Sequence, residues 1–149
     1  MRRFRKLEMF DGALMMFTSF GYFEDQDENL QVLLNVQESL KKGGKLVIDV
    51  MGKEVLARIF QERSWEEQDG VFFLQEHKIS RDRSWMENRR ILLDGSDRYE
   101  YEVSHWLYSA AEISKLLEEA GFQSVMNFGD LAVSPYDRSA RRLVGVAQK

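Results

Sequence analysis

Gly12-Ala-Leu-Met-Met-Phe17, Asp25-Gln-Asp-Glu28, Lys41-Lys-Gly-Gly44 and Leu46-Val-Ile-Asp-Val50 follow one another in that order. The first run is short, apolar and bounded by Asp11 and by Thr18-Ser19. That pattern predicts a strand buried on both faces, as in a parallel sheet. The acidic group suits a helix start. Leu30, Leu33, Leu34, Gln37 and Leu40 then keep helical spacing, Lys41-Lys42 falls in the expected last turn, and Gly43-Gly44 is expected to stop the helix. Leu46 to Val50 predicts a second buried strand. Strand, acid-capped helix, glycine turn and strand make a βαβ unit with a right-handed crossover, so the fold class is α/β.

Beyond this unit, residues 51–62 read as a helix or partly helical segment. From Trp65 the pattern changes. Val71 to Leu74, Glu76 to Ser80, Trp85 to Leu93 and Tyr99 to Tyr108 read as successive strands. Tyr99, Tyr101, Val103, His105 and Leu107 share one face of the last, and Glu100, Glu102 and Ser104 share the other. Asp94-Gly95-Ser96-Asp97 is a hairpin signal. Ser109 and Glu112 have capping-box spacing, ahead of an apolar stripe of Ile113, Leu116, Leu117 and Ala120 that Gly121 ends. Phe122 to Phe128 and Leu143 to Ala147 read as two more strands, joined by a polar loop. The expected organisation is one domain over 1–149: a parallel part at 10–64, an antiparallel insertion at 65–108, and a closing helix and strand pair at 109–149.

The chain has 149 residues, a net charge of −4, 44% hydrophobic and 31% charged residues, and no cysteine. This is a globular composition with no overall pull toward nucleic acid or acidic membrane. The basic start at residues 1–6 reads as a solvated terminus. Trp65, Trp85 and Trp106 with Arg81, Arg83, Arg89 and Arg90 could mark nucleic-acid binding, but equally dense acids favour an ion-paired sheet face. No apolar run approaches the ~20 residues of a membrane span. His77 and His105 lack further ligands at helical or hairpin spacing, which argues against zinc. The expectation is a cytoplasmic protein without nucleic-acid or membrane partners.

Phe10-Asp-Gly-Ala-Leu-Met-Met-Phe-Thr-Ser-Phe-Gly-Tyr-Phe23, Ser39-Leu-Lys-Lys-Gly-Gly-Lys-Leu-Val-Ile-Asp49 and Tyr108-Ser-Ala-Ala-Glu-Ile-Ser-Lys-Leu-Leu-Glu-Glu-Ala-Gly-Phe122 together resemble the class I S-adenosylmethionine-dependent methyltransferases. They correspond to that family's fourth strand and following loop, its fifth strand with the preceding turn, and its last helix. The antiparallel block resembles the substrate-covering insertion of the small-molecule methyltransferases. The implied fold is an incomplete Rossmann-like methyltransferase sheet with an antiparallel β insertion. The family's opening strand with its glycine-rich turn, and the acid that bonds the cofactor ribose, have no counterpart here.

The resemblance implies S-adenosylmethionine as cofactor, with Phe17, Thr18 and Ser19 beside its methionine part and Tyr22 where a small-molecule substrate meets the methyl group. Asp49, Tyr101 and Tyr108 are further substrate-site candidates, and His105 is a candidate general base. Each has a packing alternative: core for Phe17, a strand end for Thr18-Ser19, turn support for Asp49, and core or surface packing for His105, Tyr101 and Tyr108. Without the family's first strand beside it, the strand at 12–17 is expected to be a bare sheet edge. A homodimer or a partner chain through that edge is then expected, unless Arg3 to Met9 folds back as a covering strand. Three functions follow: a methyltransferase chain inactive alone, a non-catalytic oligomerising or partner-binding module, or a small-ligand binder.

Overall fold

The computed structural model describes residues 2–149. Two four-stranded sheets carry the fold. In the first, β1 (Phe10–Met15) pairs in parallel with β2 (Leu40–Val50). β2 then pairs antiparallel with β8 (Leu143–Gln148), and β8 pairs antiparallel with β7 (Ser124–Phe128). α1 (Gln26–Ser39) makes the crossover from β1 to β2, and α3 (Ala110–Glu119) precedes β7. Leu33, Leu46, Ile48, Ile113, Leu117 and Leu143, all fully buried, form the centre of the core. Each such side chain contributes ~1.5–3 kcal/mol by leaving water.

The second sheet is an antiparallel meander of β3 (Arg63–Gln68), β4 (Val71–Ile79), β5 (Trp85–Asp94) and β6 (Asp97–Trp106), with α2 (Lys53–Ile59) leading into it. The predicted hairpin closes β5 onto β6, with Asp94 opposite Asp97. The Trp106 N–H donates to Gly21 O at 2.8 Å and its indole N–H to Phe23 O at 2.9 Å. These bonds tie the meander to the loop after β1.

The helix ends follow local chemistry. Asp25 caps α1 by accepting from Asp27 N at 2.9 Å. Both bonds of the Ser109–Glu112 capping box form, at 2.7 and 3.2 Å. After α3, the Gly121 N–H bonds Glu118 O and the Phe122 N–H bonds Leu117 O.

Several expectations need correction. α1 stops at Ser39, and Leu40 is already extended. Lys41-Lys42 therefore lies outside the helix, and Gly43-Gly44 does not stop it. Residues 41–44 instead form a bulge in β2, because β1 skips from Phe10 opposite Leu40 to Gly12 opposite Lys45. Gly43 supplies the positive φ of +79° that the bulge needs. Lys41 folds back onto Asp11 at 2.8 Å. Val71 to Leu74 and Glu76 to Ser80, expected as two strands, are one strand, β4, and β3 lies where no strand is expected.

β1 is not buried on both faces. It has no neighbour but β2 among the described residues, and Leu14 is 72% exposed while Met15 is buried. Arg3 to Met9 does not cover this edge. That segment runs to the end of α1, where the Glu8 and Met9 N–H groups donate to Glu38 O and Ser39 O at 3.0 and 2.9 Å.

Candidate functional site

The chain leaves β1 in an unusual way. Phe17 and Thr18 both have left-handed φ, +55° and +57°. A bulky and then a β-branched residue in that region costs of order 1–2 kcal/mol each, so something must hold them. Asp49, near the end of β2 and only 2% exposed, does so. Its Oδ2 accepts from the Phe17 N–H at 3.0 Å, and its backbone oxygen accepts from the Thr18 N–H at 2.8 Å. Its Oδ1 accepts from Arg142 Nε at 2.7 Å, and Arg142 also donates to Thr18 Oγ1 at 3.0 Å.

Arg142 is itself placed by the loop between β7 and β8. Gly129 O accepts from the N–H groups of both Arg141 and Arg142. A Cβ on Gly129 would lie 2.6 Å from Pro135 O, so this close approach requires glycine. Asp130 then bonds Ala132 N, Ser134 N and Ser134 Oγ.

The strained turn forms one wall of a cleft of about 330 Å³. Tyr22 stands beside it, placed by Asn29, whose Nδ2 donates to Phe23 O at 2.8 Å. Met51, Leu56, Ile59 and Phe60, from α2 and its flanks, close a second, apolar wall. The third wall is one face of the meander, carrying His77 and Ser64, Met86, Asn88 and Arg90, and His105. No Asp or Glu lines the cleft among the described residues.

On that face Asn88 joins the two histidines. Its Oδ1 lies 2.7 Å from His77 Nδ1, and its Nδ2 donates to Val103 O at 3.0 Å and faces His105 Nδ1 at 3.4 Å. The bond to Val103 fixes which way the amide points. The contact with Oδ1 calls for a proton on His77 Nδ1, whereas the lone pair of His105 Nδ1 is turned toward Asn88. His105 is 9% exposed, and its ring lies 5.6 Å from that of Tyr22. Burial first, then the charges of Arg90 and His77, push its pKa down to about 4. It is neutral at pH 7 and a weak proton acceptor.

The structure thus brings Phe17, Thr18, Tyr22 and His105 to one cleft. Ser19 is exposed just past the turn and outside the lining. Asp49 lies beneath the wall with both carboxylate oxygens engaged, which is the turn-supporting arrangement. Tyr101 faces Arg90 across the β5–β6 pair but is not part of the lining. Tyr108 sits in the core against Phe20, ring centres 5.5 Å apart. Burial pushes its phenol pKa up, and its hydroxyl has no partner.

Sequence reasoning missed His77, Asn88, Arg90 and Arg142. The two histidines look distant in sequence and come together only through the β4–β5–β6 register. No group of three or more His, Cys, Asp or Glu able to hold a metal exists among the described residues. A second hollow of about 360 Å³ lies between α2 and residues 79–83, and none of the predicted site residues lines it.

The opposite face of the meander is an ion-paired ladder. Arg89 Nη1 lies 2.8 Å from Glu76 and Nε lies 2.6 Å from Glu100, while Arg63 and Arg98 flank the row. These contacts hold the carboxyls of Glu76 and Glu100 below their usual range. No described helix is long and apolar enough to cross a membrane.

No family model and no curated protein sequence matches the chain. Solved structures do match. The CcbJ methyltransferase from Streptomyces caelestis superposes with a TM-score of 0.80 at 19% identity, over 94% of this chain and 57% of that one. An S-adenosylmethionine-dependent methyltransferase from Clostridium acetobutylicum gives 0.83 at 17% identity, over 99% and 61%. The sugar N-methyltransferase KedS8 from a Streptoalloteichus species gives 0.70 at 20% identity, over 99% and 59%. The chain spans about three fifths of the length of these structures. At such identities the likeness is one of fold, and it is the fold class that the sequence resemblance implied. The chain has the fold of the class I S-adenosylmethionine-dependent methyltransferases, as a Rossmann-like sheet of four strands with a four-stranded antiparallel insertion.

Proposed function

We propose that this chain forms the acceptor-binding part of an S-adenosylmethionine-dependent methyltransferase that acts on a small molecule, and that it does not catalyse transfer alone. The observation that carries the reading is the cleft between the strained Phe17–Thr18 turn and the histidine face of the meander. A ligand pocket of this size, mostly apolar with a few convergent polar groups, suits a small molecule. Backbone strain stored at such a place is a mark of a functional turn.

The cofactor fits this cleft at one end only. Phe17, 83% exposed, and Tyr22 offer aromatic faces to a cationic sulfonium. Among the described residues no acid lines the cleft to receive ribose hydroxyls or an ammonium, and no glycine-rich turn lines it. The rest of the cofactor therefore needs groups this chain does not present, which is why activity alone is not expected. When bound, the cofactor supplies an activated methyl group for displacement. This chain's contribution is to orient the acceptor, exclude water through Leu56, Ile59 and Phe60, and accept a proton. Of the two rings, His77 is the candidate for that role, because Asn88 holds its Nδ1 and leaves Nε2 for the acceptor.

Titration with S-adenosylhomocysteine, followed by amide NMR and by calorimetry, tests this. Calorimetry is expected to show no micromolar binding, while millimolar ligand shifts the Phe17, Thr18 and Ser19 amides. Micromolar binding would overturn the incomplete cofactor site. Perturbations that bypass Phe17 to Ser19 would overturn the placement itself.

A second reading has its own support, a non-catalytic oligomerising or partner-binding module. Among the described residues β1 keeps an unpaired edge, with Leu14 exposed on the strand and Phe17 exposed in the turn after it. Such an edge favours assembly, either with a second copy or with a partner chain, whether or not the cleft works.

A further inference from the structure

Arg89 and Arg90 are neighbours in the chain and opposites in environment. Strand alternation sends them to different faces of the meander. Arg89 is held between Glu76 and Glu100 on the outer face. Arg90 lines the cleft, where its cross-strand partners are Gln75 and Tyr101, and among the described residues it has no salt bridge. Its Nε is buried and has no hydrogen-bond partner. The other guanidinium at the cleft, Arg142, is already matched by Asp49 at 2.7 Å. One positive charge is therefore left uncompensated in a cleft without an acid.

A buried donor without a partner costs roughly 1–3 kcal/mol, more when charged, and native proteins rarely leave one without reason. The planar fork of a guanidinium matches a carboxylate or phosphate in two parallel bonds. We infer that the acceptor of this cleft carries an anionic group, a carboxylate or a phosphate, that docks on the guanidinium of Arg90. The inference rests on the reading of this cleft as the acceptor site. Arg90 and Met86 lie four positions apart on β5, roughly 13 Å along the strand, and Met86 is the register partner of His105. Docked on the guanidinium, the anion is held on the same face of the meander as His105 and anchors the acceptor in the cleft that Tyr22 and Phe17 also line. It also neutralises one of the charges that oppose protonation of His105.

The test needs no methyl donor. Sodium acetate and inorganic phosphate are titrated into the chain at constant ionic strength, with the His105 ring signals and the Arg90 Nε–H signal followed by NMR. A saturable shift is expected with at least one anion. Saturation by acetate assigns a carboxylate, and saturation by phosphate assigns a phosphate. Arg90→Gln is expected to weaken that binding about tenfold or more, and Arg90→Lys to retain part of it. Arg98→Gln makes the same charge change on the outer face and is expected to leave binding intact. Retention of the β2 and β8 core amide signals verifies that each variant is folded. Absence of a saturable shift with either anion, or equal weakening in Arg90→Gln and Arg98→Gln, would overturn the inference. A failed S-adenosylhomocysteine titration would not, so the two readings fail separately.

Discussion

His105 shows how one residue's surroundings set its chemistry. Burial and the nearby positive charge of Arg90 favour its neutral form, with a folded pKa of about 4 against 6.5 for a free imidazole. Between those values the unfolded chain binds more protons than the folded one. Stability from this group is therefore fully present above pH ~6.5 and is lost progressively as the pH falls toward 4. The upper bound is about 3 kcal/mol, set by the whole shift. Denaturant unfolding of the wild type and of His105→Gln across this window measures it. The wild type is expected to lose stability more steeply with acid than the variant. Parallel curves would mean that His105 titrates as a free histidine.

At the scale of elements, the turn after β1 depends on one ion pair for its shape. Asp49 collects the Phe17 N–H and Arg142 with its two carboxylate oxygens, and the Thr18 N–H with its backbone. Asp49→Ala leaves Arg142 without its acid and the strained turn without its main support. The expected loss is about 3 kcal/mol, the order for removing one partner of a buried pair. A double-mutant cycle with Arg142→Ala is expected to show a coupling of about 1–2 kcal/mol. Additive losses would indicate that Arg142 contributes nothing to holding the turn.

This element also marks how far the sequence can be read. The α3 capping box and the β5–β6 turn were legible because their chemistry is local, between residues three apart. The end of α1 was not, because a Lys-Lys-Gly-Gly run suits a helix stop and a strand bulge alike. Only the pairing of Gly12 with Lys45 decides between them. β3 escaped notice because Glu66, Glu67 and Gln68 lack an apolar alternation. Within the site, Phe17, Thr18 and Tyr22 came from the resemblance and His105 from the usefulness of an imidazole near neutral pH, and all four line the cleft. His77, Asn88 and Arg90 depend on cross-strand register, which no single strand carries. Arg142 reaches the turn from far along the chain.

For the whole molecule, the open side of β1 is a surface that favours pairing. Leu14 and Phe17 are 72% and 83% exposed, and Phe4, Leu7 and Met9 lie exposed just before the strand. An unpaired strand edge with apolar side chains next to it is a template for further pairing. Nothing in β1 blunts it: the strand contains no proline or lysine, and its one charge, Asp11, is turned to Lys41. A two-fold axis at this edge would run β1 antiparallel to its copy and bury the same apolar residues from both sides. We therefore expect the chain to sediment above its monomer mass at micromolar concentration. Leu14→Lys places a charge on the edge and is expected to return the chain to monomer without loss of fold, because that side chain packs against nothing in the core. Amide exchange separates pairing from loose clustering, since pairing protects β1 amides in the wild type and leaves them fast in Leu14→Lys. A wild-type chain that sediments as a clean monomer, with β1 amides exchanging alike in both proteins, would remove the assembly reading.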